Sequence, residues 1–202
     1  MSLVINSNIM SLNAQNNLEQ SQASLAQSLQ RLSSGLRINS AKDDAAGFYT
    51  SQLMTADING MNQAIQNAND GVSLAQTGGG AMSQISNDLQ RLNELAVQSA
   101  NGTVQDRTGL QGEADQLTQE ISQIITTSKF EGVQLLDGTG GSITFQVGSS
   151  GSASNQITIS GIDLSSLNSF SASLTATGVI DISSSGAASA AIASIQSDIE
   201  TV

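Results

Sequence analysis

Gln30-Arg31-Leu32-Ser33-Ser34-Gly35-Leu36-Arg37-Ile38-Asn39-Ser40-Ala41-Lys42-Asp43-Asp44-Ala45-Ala46-Gly47 separates two long apolar patterns and decides how the chain is laid out. A helical pattern precedes it and a longer one follows, so Ser33-Ser34-Gly35 and Asn39-Ser40 mark a joint between two helices. Three of the six basic residues, Arg31, Arg37 and Lys42, lie inside it, in a chain whose net charge is -11. Asp43 and Asp44 are adjacent, and neighbours on a helix point about 100° apart, so they do not converge as a metal-binding or acid-base pair. At the start of the second helix they favour its dipole and cap its free N–H groups.

Toward the N-terminus the apolar residues are Ile5, Ile9 and Leu12, then Leu18, Leu25, Leu29, Leu32 and Leu36. The 4-3-4 spacing of the last four marks one helix face, out of phase with the first three, so the seam slips between Leu12 and Leu18. Asn, Gln and Ser fill most other positions, and an amphipathic helix of that composition is marginal in water without a partner.

After the joint, Met54, Ile58, Met61, Ile65, Ala68, Val72, Ala75 and Met82 follow a heptad spacing, extended by Leu89, Leu92 and Ala96. This regular seam is a packing surface for other helices. Its methionines are filler between helices and not ligands. Gly78-Gly79-Gly80 weakens the helix by roughly 1 kcal/mol per glycine, but the phase resumes at Met82, which predicts a weakened helix and not a turn. Asn101-Gly102 supplies a stop, and Asn101-Gly102-Thr103 also fits the N-glycosylation pattern.

A third helix is predicted from Leu110, Ala114, Leu117, Ile121, Ile124 and Ser128, with Asp106 as N-cap, packing antiparallel on the second through a short connection. Past Phe130 the period changes to two, at 143–147 and 157–159, which predicts strands joined by glycine-rich turns such as Asp137-Gly138. Residues 161–186 are Ser-rich and weakly patterned, as in a surface insertion. Ile192, Ile195, Ile199 and Val202 restore a helical spacing. The fold class is therefore mainly α: long heptad-patterned helices in a bundle or coiled coil, with a small β-hairpin region after the third helix. The domains are 1–43, a helix and joint; 44–130, two antiparallel helices; 131–186, hairpin and surface region; and 187–202, the start of a further helix.

Composition narrows the function. Six basic residues in 202 are too few to neutralise phosphates, which argues against nucleic acid or an anionic membrane as partner. No window approaches the ~20 apolar residues of a membrane span, and Met1 to Asn13 lacks the basic and apolar regions of a cleavable signal. With no His, no Cys and no nucleophile elbow, P-loop or dinucleotide glycine pattern, an enzymatic or cofactor-dependent reading has no reacting group to rest on.

LSSGLRINSAKDDAAG, residues 32–47, resembles the N-terminal signature of bacterial flagellin nearly letter for letter, as do Asn67 to Gln76, Leu89 to Gly102 and Val133 to Gly138. The resemblance covers roughly the first 148 residues, with an echo at the C-terminal end. It implies a structural subunit that polymerises with its own kind into the flagellar filament for swimming motility, delivered outside the cell by the type III export apparatus alongside hook-associated and cap proteins. A hook-filament junction protein is the alternative within the same class. The assembly seam would comprise Ile5, Ile9, Leu25, Leu29, Leu32, Leu36, Met54, Ile58, Met61 and Ile65.

The same resemblance implies innate immune recognition, with Arg91, Leu95, Gln98 and Glu113 facing a flagellin-sensing Toll-like receptor. Asn93 stands where many relatives carry a basic residue. Residues 30–51 are similar to the epitope read by the plant flagellin receptor, departing at Phe48-Tyr49-Thr50-Ser51. In this family the N-terminal helix pairs with C-terminal helices, and residues 187–202 span only roughly 24 Å against about 54 Å for a helix over residues 2–37. The chain alone is therefore expected not to form long filaments.

Overall fold

Gly35 ends the first helix because the chain there turns through φ 69°, a left-handed conformation open to glycine, with the Gly35 N–H donating to the Arg31 carbonyl at 2.9 Å. In the computed structural model, which describes residues 8–173 and 178–202, that helix is α1, Ile9–Ser34. Asn8 caps its start by accepting from the Ser11 N–H at 3.3 Å. The joint follows, and α2 then runs from Ala45–Ala100 without interruption through Gly78-Gly79-Gly80. The Cβ positions of Gly79 and Gly80 meet nothing within 4 Å, so no neighbour requires glycine there. The helix survives its weak point as the resumed phase predicts.

Two compact units divide within α2, residues 1–59 and 60–202. The first holds α1, the joint and the first turns of α2, and no described residue of α1 is buried. The second holds the rest of α2, then α3 (Thr108–Thr127), β1 (Lys129–Phe130), β2 (Val133–Gln134), β3 (Ile143–Gln146), β4 (Gln156–Ile159) and α4 (Ser185–Thr201). Helical elements dominate, as expected, and β3 pairs antiparallel with β4 from Ile143 opposite Ile159 to Gln146 opposite Gln156.

The core of the second unit joins Leu74, Ile85, Leu89, Leu92, Leu95 and Ala96 of α2 to Ala114, Ile121 and Ile125 of α3 and to Ala188, Ala191 and Ile195 of α4. On α3, Thr118 and Ser122 are buried with them, while Leu117 and Ile124 are only half-buried. The hydroxyls fit there because Thr118 Oγ1 donates to the Ala114 carbonyl and Ser122 Oγ to the Thr118 carbonyl, both at 2.8 Å. Asp106, expected as the N-cap, stands one residue before it: Arg107 occupies the cap position, and the Asp106 carboxylate accepts from the Thr108 N–H at 2.9 Å.

Two expectations are corrected. Ala75 was placed on the buried face of α2, whereas it is exposed and Leu74 and Gly78 are buried instead. Positions 74 and 78 face the segment after α3: Leu74 joins the core cluster that contains Leu135, and Leu135 Cδ1 lies 4.0 Å from where a Gly78 Cβ would stand. The faces merge again at Leu89. Residues 161–186, expected as a surface insertion, send Leu164, Leu167, Ile180 and Ile182 into the core. Their backbone is held by side chains: Asp198 accepts from the N–H groups of Asn168 and Ser169 at 2.8 Å, and Gln111 accepts from the Ile182 N–H at 2.7 Å while donating to the Ile180 carbonyl at 3.0 Å. A segment without periodicity is buried here through scattered apolar anchors.

The β1–β2 hairpin was not anticipated. Its two-residue turn, Glu131-Gly132, takes φ 49° and 85°, positive at both positions as a tight hairpin requires. Two-residue strands carry no readable alternation, and Glu is an unusual occupant of that turn.

Candidate interaction surfaces

Apolar residues that find no cover are the most informative surface features. On α1, Leu25, Leu29, Leu32 and Leu36 are all exposed, Leu32 at 81%, and so is Ile9; Ile5 lies outside the described residues. On α2, Met54 is 62% exposed and Ile58, Met61 and Ile65 are similarly open. The helical spacing predicted from the sequence is therefore realised, but the stripes face solvent in the isolated chain. Burying such a side chain is worth about 1.5–3 kcal/mol, so these faces hold binding free energy that the folded chain does not use.

The joint below α1 is ordered by Asp43. Its carboxylate accepts from Gln27 Nε2 at 2.9 Å and from the N–H groups of Asn39 and Ser40 at 3.2 Å. The Gln27 bond, followed by the Asn39 N–H, holds the Asp43 carboxyl below the usual carboxylate range. Asp44 caps α2, accepting from the Gly47 N–H at 2.9 Å. Gly47 leaves room for this cap, since a Cβ there would force the Asp44 carboxylate and Ile38 Cδ1 to shift. The adjacent carboxylates do not converge, as the sequence suggested, but only Asp44 caps the helix; Asp43, expected to cap it too, holds the N–H groups of the joint before it.

On α2 and α3 a polar cluster crosses the helix pair. Arg91 reaches Glu113 at 2.8 Å and Glu94 at 3.0 Å. These hydrogen bonds, Glu113 first, raise the hold of Arg91 on its proton. Gln98 is exposed on the same helix. Leu95, expected on this surface, is 1% exposed and belongs to the core. It follows Leu92 by three residues and precedes Ser99 by four, so it lies on the buried stripe, which is wider than a two-position heptad seam. Three of the four residues, Arg91, Gln98 and Glu113, are thus accessible.

Sequence reasoning also missed buried polar groups. Asp88 is buried, with Oδ1 accepting from Gln84 Nε2 at 2.9 Å and no partner for Oδ2 among the described residues. Burial, and then the charge of Glu120, push its carboxyl up. An acid four residues after Gln on a helix reads as a solvated pair, so nothing in the sequence signals it.

One apolar recess, a cavity of about 200 Å³, is lined by Leu74, Gly78, Met82, Leu135, Ile143 and Ile159 among others. Its lining holds the Ser160 hydroxyl but, among the described residues, no base to activate it and no carboxylate. Among the described residues no group of three or more Asp and Glu could hold a metal ion, and no helix is long and apolar enough to cross a membrane.

Residues 5–140 match the family described as the bacterial flagellin N-terminal helical region. Curated relatives include the B-type flagellin of Pseudomonas aeruginosa, 48% identical over 84% of this chain and 35% of that protein. Flagellin 1 of Proteus mirabilis is 46% identical over 81% of this chain and 45% of the relative, and the flagellin of Salmonella muenchen is 52% identical over 73% and 30%. The chain thus spans less than half the length of these relatives. The crystal structure of Bacillus cereus flagellin superposes with a TM-score of 0.56 at 32% identity, covering 67% of this chain and 75% of that one.

Leu95 and Arg91 separate core from surface in one experiment. Leu95→Ala should lower unfolding stability by about 2–5 kcal/mol, the cost of a cavity, whereas Arg91→Ala should leave it nearly unchanged, as for a solvent-screened ion pair. Denaturant melts followed by circular dichroism read both.

Proposed function

The chain belongs to the bacterial flagellin family, a family of structural proteins, and on that premise we propose that it serves as a subunit of the flagellar filament, exported by the type III apparatus for swimming motility. The single observation that supports this reading is the exposure of ordered apolar stripes on α1 and on the first half of α2. Among the described residues these solvent-facing Leu, Ile and Met at helical spacing have no cover, and association with other helices would supply it. Homopolymerisation is the form of association that the family suggests. Hook-associated and cap proteins are the further partners in this reading.

Assembly is tested by adding the chain to sheared filament seeds and following pelleting and negative-stain images. The wild-type chain should associate with seeds, and Ile58→Glu with Met61→Glu should abolish association with no loss of helical signal, because both positions are exposed in the folded chain. Equal association of the double variant would reject the stripe as an assembly face.

Innate immune recognition is a second reading, favoured by the exposed Arg91-Glu113 pair with Gln98 beside it. Exposed charged side chains that present several hydrogen-bonding groups suit recognition by a receptor surface. Arg91→Ala should reduce activation of a flagellin-sensing Toll-like receptor with unchanged helicity, and an undiminished response would remove this patch.

A further inference from the structure

The dipeptide Asn-Gly occurs twice, at Asn59-Gly60 and Asn101-Gly102, and the fold treats the two differently. Asn59-Gly60 lies inside α2, where the Gly60 N–H is committed to the helix ladder. Asn101-Gly102 lies in the connection between α2 and α3, both residues exposed, and the Gly102 N–H has no backbone acceptor among the described residues.

The Asn101 side chain is set up asymmetrically. Its Oδ1 accepts from the Thr103 N–H at 3.1 Å and from Thr103 Oγ1 at 3.0 Å, while Nδ2 has no hydrogen-bond partner among the described residues. Two donors on a carbonyl oxygen draw charge from Cγ and stabilise the negative oxygen that forms when a nucleophile adds to it. The unheld nitrogen is the one that must leave.

We propose that Asn101 is a self-modifying site that converts to aspartate and isoaspartate through attack by the Gly102 main-chain nitrogen. The amide nitrogen gives up its proton and bonds to Asn101 Cγ; the Cγ–Nδ2 bond then breaks and the side-chain nitrogen departs as ammonia, leaving a cyclic imide. Water adds to either imide carbonyl and opens the ring, so one water is consumed and one ammonia released. The change adds a carboxylate where Arg107 Nη2 already donates to the Asn101 carbonyl at 3.0 Å and Arg107 Nε to the Ser99 carbonyl at 2.9 Å. In the isoaspartyl product the backbone also lengthens by one carbon in the link between α2 and α3.

Asn168-Ser169 shows the opposite arrangement within the same fold. Asp198 binds both the potential leaving nitrogen, Asn168 Nδ2, and the potential attacking nitrogen, Ser169 N, each at 2.8 Å. This site should stay intact.

Peptide mapping by mass spectrometry, with enzymatic methylation of isoaspartyl carboxylates, tests the proposal on the full chain aged at neutral and mildly alkaline pH. Product at Asn101 should accumulate on the order of tenfold or more faster than at Asn59, whose attacking amide is released only by local helix opening. The rate should rise with pH, because the attacking amide must lose its proton. Gly102→Ala should slow it by roughly tenfold, since the added Cβ restricts the backbone. That variant leaves the fold intact, because a Cβ at Gly102 meets nothing within 4 Å. Conversion at Asn101 no faster than at Asn59, or a Gly102→Ala chain that converts as fast as wild type, would overturn the proposal.

Discussion

Burial of Ile85, Leu89, Leu92, Leu95 and Ala96 of α2 against Ile121 and Ile125 of α3 and Ile195 of α4 is the contact on which the second unit depends. With no Trp and 2% aromatic residues, the chain has few large side chains with which to build a core. It relies on aliphatic residues that are wholly buried, each contributing about 1.5–3 kcal/mol. The polar contacts follow from that packing: Ser99 Oγ donates to the Ile182 carbonyl, Ser185 Oγ to the Ala100 carbonyl, and Asp198 holds the 168–169 backbone. Each satisfies a group that burial of the aliphatic cluster would otherwise leave without water.

The same limitation accounts for the exposed stripes. An apolar spacing as regular as that of the core recurs on α1 and early α2, yet no described residue of α1 is buried. Asn, Gln and Ser around these stripes keep the helices hydrated, and Ser24 and Ser28 turn their hydroxyls back onto the Gln20 and Ser24 carbonyls at 2.9 Å. Such helices gain little from propensity and depend on packing for their stability. The exposed apolar faces and the polar composition are therefore two aspects of one property: these segments leave apolar surface for which the proposed assembly would supply the cover.

Much of this was readable beforehand, and the failures have identifiable causes. The joint was legible because Gly35 and the paired acids carry local signals that need no tertiary context. Helix existence followed from spacing over many turns. Leu95 was misplaced because the family resemblance put it on the surface, whereas here α2 shares a core with α3 and α4 and buries a stripe wide enough to include it. Ala75 was misplaced because Leu74 and Gly78 face Leu135, a residue distant in sequence. Residues 161–186 bury isolated anchors whose backbone is satisfied by Gln111 and Asp198, side chains in other segments. The accessibility of Arg91, Gln98 and Glu113 agrees with the surface reading, while the buried Asp88 left no trace in the sequence.

The central claim, that the solvent-facing stripes are assembly faces, is tested most directly by methionine oxidation footprinting. Met54 and Met61 lie on the α2 stripe and are open to solvent in the folded chain. Both should oxidise rapidly in the dispersed chain and be strongly protected when the chain is associated with filament seeds. Equal oxidation of Met54 and Met61 in the dispersed and seed-associated states would contradict the account.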